Sequence, residues 1–131
     1  MRVVVDTNIW SLALRRTGSN IKHRELLSTL IEEGLVVMLG PIRQEILSGI
    51  KSKEQYHILK NYLSEFPDFN ITTHDYEKAA EYFNLCRSKG IQGSNTDFLI
   101  CSVALRNEFP IYTIDNDFNN YKKVIGIKLY G

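Results

Sequence analysis

Acidic residues stand where a chain of alternating strands and helices would carry out chemistry. Asp6 follows three valines, Glu45 lies early in a helical segment, Asp97 opens another helix, and Asp115 follows an apolar run, with Asp117 as a fifth candidate. No lysine or histidine accompanies these motifs. Oxygen ligands without sulfur or imidazole suit Mg²⁺ or Mn²⁺, which retain waters and take up substrate phosphate. The pattern therefore predicts metal-assisted hydrolysis of a phosphodiester.

Each of these acids also has a purely structural interpretation. Asp6 could cap the helix that follows it, although Thr7 or Asn8 could do so instead. Asp97 has the spacing of the third helical residue in a capping box opened by Ser94. The other three have equally simple alternatives: a helix cap for Asp115, a favourable first-turn charge for Asp117 and an exposed surface position for Glu45.

The elements that must position these acids follow from apolar runs and helical periodicity. The three valines within residues 2–5 and the continuous apolar run over 35–39 are typical of strands buried on both faces. Further strands are predicted at residues 111–114 and 124–129, with a short edge strand near 69–73. The strands alternate with helices. The sequence therefore predicts one α/β domain over residues 1–131, with a mainly parallel sheet of about four to five strands and helices on both faces.

In such a sheet the acids are expected to lie close together. Asp6 and Asp115 directly follow strands, so both should project from the carboxyl edge of the sheet, where ligands gather. Glu45 and Asp97 lie at the starts of connecting helices, so all four could converge on one cleft. Two unit charges about 5 Å apart repel by roughly 3 kcal/mol at an effective dielectric near 20. A cation is needed to offset that repulsion, or some of the acids must protonate.

The remaining pattern describes the packing of the helices. The segment after Asp97 is apolar almost all round, leaving Ser102 and Arg106 as a narrow polar edge, which is typical of a buried helix. The inner face of the preceding long helix is predicted at Tyr76, Ala79, Ala80, Phe83 and Cys86. Cys86 and Cys101 are interpreted as small core residues and His23, His57 and His74 as surface residues.

Composition limits the classes of partner and location. The chain has 131 residues, with 44% hydrophobic and 24% charged residues, which is ordinary for a globular domain. A net charge of +1 does not require a polyanion or a membrane as partner, so a nucleic acid would bind a local basic patch. No segment approaches a signal peptide or a membrane span, which predicts a soluble cytoplasmic protein.

The ordered motifs resemble those of a known family. VVVDTNIW (residues 3–10), PIRQE (41–45), GIQGSNTDFLICSVAL (90–105) and IYTIDNDF (111–118) look like the PIN-domain nucleases, specifically the short VapC-type toxins of toxin–antitoxin pairs. The likeness spans essentially the whole chain. Each motif alone is weak, whereas the ordered set is fairly specific.

The resemblance implies roles for individual residues. It assigns the catalytic acids to Asp6, Glu45, Asp97 and Asp115. It leaves open whether Asp117 shares or replaces the role of Asp115. The metal ligands would be Asp6, Asp97, Asp115 and Asp117, with Thr7, Asn8 and Thr113 in support of the site.

The resemblance also implies partners. It predicts a Mg²⁺- or Mn²⁺-dependent endoribonuclease that cuts structured RNA such as tRNA or rRNA, forms a homodimer and is inhibited by a small antitoxin whose tail enters the acidic groove. Phosphate contacts at the rim are predicted for Arg15, Arg16, Lys51 and Lys53. A non-catalytic RNA-binding or scaffolding domain and a housekeeping RNA-processing nuclease remain as alternatives. A phosphoacceptor receiver domain would need a lysine after a late strand, and residues 111–118 contain none.

Overall fold

The computed structural model describes residues 1–14 and 21–131. Its strands are β1 (Val3–Val5), β2 (Val36–Val37) and β3 (Ile111–Tyr112). Its helices are α1 (Thr7–Leu14), α2 (Ile21–Glu32), α3 (Gly40–Leu47), α4 (Lys53–Leu63), α5 (Thr73–Ser88), α6 (Asn95–Asn107) and α7 (Asp117–Ile125). None of the helices in these two stretches is both long and apolar enough to cross a membrane. The predicted rim residues Arg15 and Arg16 lie outside the described residues.

The sheet is parallel and has β1 at its centre, in the order β2-β1-β3. Val4 of β1 is in register with Val37 on one side and Ile111 on the other. Successive residues of a strand face opposite sides of the sheet, and Val3, Val4 and Val5 are all fully buried, so both faces are covered. The predicted α/β class with a parallel sheet is confirmed.

The sheet has fewer strands than predicted, because its outer segments pair at single residues. Asp68 pairs with Met38 beyond β2, and Leu129 pairs with Ile111 beyond β3. The predicted strand over residues 124–129 is wrong, since Val124 and Ile125 belong to α7. Their β-branched side chains suggested a strand. Phe118 and Tyr121 are buried at helical spacing, and α7 continues from them through Val124 and Ile125.

The polar edge of α6 binds the start of α5. Asp75, 1% exposed, accepts from Arg106 Nε at 2.6 Å and from its other guanidinium nitrogen, Nη2, at 2.8 Å. Its carboxylate also receives the backbone N–H of Thr72, which closes a capping box. Ser102 Oγ donates to the Asp75 carbonyl at 2.8 Å. These bonds join two long helices, and α6 carries Asp97.

This ion pair corrects the predicted inner face of α5. Ala79 and Cys86 are buried as predicted, but Tyr76 is 56% exposed and Ala80 is also exposed. The buried face instead begins at Asp75, because its charge is neutralised by a bidentate arginine. An apolar pattern alone does not reveal such a partner.

The predictions for the cysteines are confirmed, and those for the histidines are confirmed except at His23. Cys86 and Cys101 are free and buried, as predicted. His57 and His74 are exposed, but His23 is half-buried, and its Nδ1 lies 2.6 Å from the hydroxyl of Tyr112. The surface interpretation of His23 is therefore wrong. A histidine within a polar helical stretch gave no indication of a buried tyrosine hydroxyl beside it.

Replacing Asp75 by asparagine should lower the free energy of unfolding by about 2 kcal/mol at pH 7, because hydrogen bonds to a charged acceptor are lost. Burial raises the pKa of Asp75, but Arg106 and Thr72 outweigh it and hold the pKa below its ordinary value of 3.8. The stabilisation is therefore complete above pH 3.8 and is lost as the pH falls through the lowered value.

Urea unfolding of Asp75→Asn at pH 7 and at pH 3 checks this expectation. The matched control is Asp68→Asn, whose carboxylate is 54% exposed beside Arg43, and its loss should stay below about 0.5 kcal/mol. A difference between wild type and Asp75→Asn that is as large at pH 3 as at pH 7 would contradict the assignment.

Candidate active site

Asp6 lies at the carboxyl end of β1 and is 6% exposed. Its Oδ1 accepts the backbone N–H of Thr7 at 2.8 Å, and its Oδ2 accepts from Thr113 Oγ1 at 2.8 Å and Asn8 Nδ2 at 3.2 Å. Asp6 therefore receives a backbone bond from the first turn of α1 itself, rather than leaving that role to Thr7 or Asn8. Its carboxylate is held in one orientation by three donors.

Asn8 and Thr113 join the ends of two neighbouring strands. Asn8 Nδ2 also donates to Thr113 Oγ1 at 3.0 Å, and its Oδ1 accepts the N–H of Ile114 at 3.2 Å. The Thr113 hydroxyl in turn accepts the N–H of Asp115 at 3.1 Å. The motifs after β1 and β3 thus form one hydrogen-bonded unit at the edge of the sheet.

Glu45 reaches this edge from the exposed side of α3. Thr7 Oγ1 donates to Glu45 Oε1 at 3.2 Å, which places Glu45 beside the first residue of α1. Two residues earlier, Arg43 contacts the end of α4 by donating to the carbonyls of Leu63, at 2.9 Å, and Phe66. Arg43 therefore fixes the helix that presents Glu45.

Asp97 is held by a side chain from α7. Tyr121, fully buried, donates its hydroxyl to Asp97 Oδ2 at 2.8 Å. The N–H of Asp97 donates to Ser94 Oγ at 3.0 Å, which is the helix-capping interaction expected at this position. Gly93 allows this arrangement, because a Cβ there would collide with the Tyr121 hydroxyl and lie 2.8 Å from its Cζ. Both structural and chemical interpretations of Asp97 are thus compatible.

Asp115 and Asp117 occupy the same turn in different ways. Asp115 is half-buried, and its Oδ1 accepts the N–H of Asp117 at 2.9 Å, as a helix cap does. Asp117 is exposed in the first turn of α7. Both charges raise the pKa of Asp97, that of Asp115 more strongly. Both acids therefore add negative charge near Asp97.

The electrostatics of the edge are those of crowded negative charge. Burial raises the pKa of Asp6, and the charges of Asp97 and Glu45 raise it further. The hydrogen bonds from Thr113 and Thr7 lower it, but the net shift is upward. Burial likewise raises the pKa of Asp97. Within the described residues, the ion pairs of acidic side chains involve only Asp68, Asp75 and Glu81, none of them at this edge. Ionising Asp6 and Asp97 thus costs energy that a cation would offset.

The oxygen ligands at this edge fit a hard divalent cation. Mg²⁺ and Mn²⁺ prefer carboxylates, with hydroxyl and amide groups nearby. Over residues 1–14 and 21–131, however, no three acidic, histidine or cysteine side chains already converge as a ligand set. The predicted cleft is therefore an edge lined by carboxylates rather than a preassembled metal site.

Sequence reasoning missed Tyr121 and Gly93. The spacing of Phe118 and Tyr121 after Asp117 is helical and could have revealed the buried face of α7, but the predicted strand over 124–129 obscured it. The predicted rim residues Lys51 and Lys53 are exposed just before and at the start of α4. Neither makes an ion pair with a described acid.

Comparison with known proteins gives concordant results. The model of the family described as PIN domain matches residues 3–124. Ribonuclease VapC11 of Mycobacterium tuberculosis and VapC ribonuclease Mb1587 of Mycobacterium bovis are each 29% identical to this chain, over 96% of it and 96% of their own lengths.

Solved structures share the fold. VapBC2 from Rickettsia felis bound to a DNA fragment from its promoter aligns with a TM-score of 0.78 and 21% identity, over 99% of this chain and 98% of the other. FitAcB from Neisseria gonorrhoeae aligns with a TM-score of 0.79 and 17% identity, over 98% and 96%.

Replacing Gly93 by alanine should destabilise the protein by about 1 to 3 kcal/mol, because the new methyl group overlaps Tyr121 and lies 2.7 Å from Phe98 Cε2. Gly40→Ala is the matched control, since a Cβ there has nothing within 4 Å. Guanidinium unfolding of both variants measures the difference. Equal stabilities for the two alanine variants would show that Gly93 does not need to be small.

Proposed function

The chain belongs to the PIN domain family, and from this premise we propose that it is a metal-dependent endoribonuclease that acts as the toxin of a toxin–antitoxin pair. The relatives named VapC ribonuclease, similar over nearly the whole chain, support this activity. The observation that carries the proposal is the carboxylate edge, where the buried Asp6 shares the Thr113 hydroxyl with the N–H of Asp115, and Glu45 binds the neighbouring Thr7. A housekeeping RNA-processing nuclease would use the same edge without an antitoxin.

Asp6, Asp97 and Asp115 would hold the cation, with Glu45 and Asp117 at its margin. When bound, Mg²⁺ or Mn²⁺ supplies positive charge to the phosphate and an activated water. Asp6 keeps its orientation through Thr113, Asn8 and the Thr7 N–H. An exposed Glu45, held by Thr7, is free to accept a proton from an incoming water.

An acidic edge repels RNA, so phosphates need positive charge at its rim. Lys51 and Lys53 are exposed and can supply part of it, with Arg15 and Arg16 as the other proposed contacts. Binding should then weaken steeply with salt, because counterions are released on association. The homodimer and action in the cytoplasm, where RNA substrates occur, remain predictions.

Asp6→Asn should reduce RNA cleavage by at least about a hundredfold, because the buried ligand loses its charge and a hard divalent cation loses its central carboxylate. The measurement is cleavage of a mixed RNA pool with Mn²⁺, with EDTA and with Mn²⁺ restored after EDTA. Asp68→Asn removes a carboxylate beside Arg43 and serves as the charge-matched control with unchanged cleavage.

Equal cleavage by Asp6→Asn and wild type would refute the proposed chemistry. RNA binding that is independent of metal, without any cleavage, would instead favour the non-catalytic RNA-binding domain.

The antitoxin has a candidate docking surface. An apolar groove of about 690 Å³ lies between α1, α3 and α4, and its lining includes Leu14, Ile58 and Tyr62, which are 43%, 63% and 44% exposed. Structural neighbours are described as VapBC and FitAB assemblies. We assign this groove to an amphipathic helix of the antitoxin, whose apolar face would cover these side chains.

Ile58→Glu should weaken antitoxin binding by about a hundredfold and leave RNA cleavage intact, since it introduces an unpaired charge into an apolar interface. Leu85→Glu on α5, where the side chain is 42% exposed, is the matched control. The assay is co-purification with the product of a short open reading frame sought next to this gene, together with inhibition of cleavage. If the antitoxin inhibits Ile58→Glu as strongly as wild type, it binds a surface other than this groove.

A further inference from the structure

A small cavity lies between α5 and the loop that leads into α6. Phe83 and Arg87 of α5 form one wall, and Ile91, Gln92 and Gly93 of the loop before α6 form the other. Its volume is about 210 Å³, below the range of about 300 to 1,000 Å³ that whole small-molecule ligands occupy. The cavity therefore suits one ring system of a larger ligand.

Two successive contacts connect this cavity to the acids. Gly93 lies against Tyr121, and the Tyr121 hydroxyl donates to Asp97 Oδ2 at 2.8 Å. The loop that lines the cavity continues directly into Ser94, the cap of the helix that carries Asp97. The loop that lines the cavity is consequently the loop that positions Asp97.

The walls offer the groups that recognise an unpaired base. Phe83 packs edge-on against Phe98, with ring centroids 5.7 Å apart, so its ring is held in place. Arg87 and Gln92 are exposed at the mouth of the cavity. An aromatic ring provides stacking, a guanidinium binds phosphate or stacks, and a primary amide provides both a donor and an acceptor for a base edge.

The charge of Arg87 favours RNA as the ligand of this cavity. The carboxylates around Asp97 repel a phosphodiester chain, and Arg87 is a cation in the lining of the cavity. Ion pairs among the described residues involve Arg43, Lys78 and Arg106, so Arg87 forms none with a described acid. Its charge can therefore contact a backbone phosphate that flanks the bound base.

We propose that this cavity binds one unpaired nucleotide of the substrate RNA, adjacent to the bond that is cut, and sets the sequence preference at that position. Phe83 stacks on the base, Gln92 contacts its edge, and Arg87 contacts the flanking phosphate. The proposal rests on the ribonuclease function proposed above and adds to it a determinant of substrate choice.

The test compares Arg87→Gln and Gln92→Ala with wild type on a pool of random single-stranded RNA oligonucleotides in Mn²⁺, with sequencing of the cleaved ends. Gln92→Ala should lose the nucleotide preference at one position flanking the cut, whereas Arg87→Gln should keep that preference, because a phosphate contact carries no base information. On a single cleaved oligonucleotide, KM should rise about tenfold for each variant, with kcat within about twofold, because the base-edge contact of Gln92 and the phosphate contact of Arg87 act mainly on binding.

Lys89→Gln is the matched control, since it removes an exposed positive charge two residues from Arg87 and outside the cavity. Its preference and KM should equal those of wild type. The same rise in KM for Lys89→Gln as for Arg87→Gln would show general attraction of RNA and overturn the subsite. A fall in kcat with unchanged KM would also overturn it.

The outcomes separate this inference from the function beneath it. If wild type cleaves the pool but Gln92→Ala retains its preference and both variants retain its KM, the subsite is refuted and the ribonuclease stands. If wild type with Mn²⁺ cleaves neither this pool nor structured RNA, the proposed ribonuclease function itself is refuted. Because Arg87 and Gln92 are exposed, unchanged melting temperatures verify that both variants are folded.

Discussion

The burial of one negative charge at the centre of the sheet governs the rest of this structure. Asp6 ends the central strand, and burial places its carboxylate where ionisation is costly. Thr113, Asn8 and a backbone N–H compensate part of that cost and join the ends of β1 and β3. The same bonds fix the carboxylate in one orientation, so stability and the preparation of the site have a common origin.

The second requirement is a scaffold that brings Asp97 to the same edge. Its helix, α6, is buried along most of its length, and the one polar stripe of that helix is neutralised through Asp75 on α5. Breaking the Asp75 pair would leave a buried charge without a partner, a far larger penalty than losing an exposed pair. The packing of α5 on α6 is thus a condition for placing Asp97.

Tyr121 contacts both the acid Asp97 and the loop beside the cavity. It is fully buried, it holds Asp97 through its hydroxyl, and it lies against Gly93 of the loop beside the Phe83 cavity. Burial and the neighbouring carboxylate raise the pKa of Tyr121, so its hydroxyl remains a donor across the physiological range. Positioning of the site and shape of its surroundings therefore depend on the same aromatic side chain.

Local sequence determined the α/β class, the parallel strands and the acids at their ends. Valine runs require burial on both faces, and strand ends in a parallel sheet share one edge. Tertiary structure alone decided which acids are held by which donors, because Thr113, Tyr121 and Arg106 reach their partners from distant parts of the chain. It also decided that residues 124 and 125 are helical, since burial of Tyr121 outweighs the strand preference of β-branched side chains.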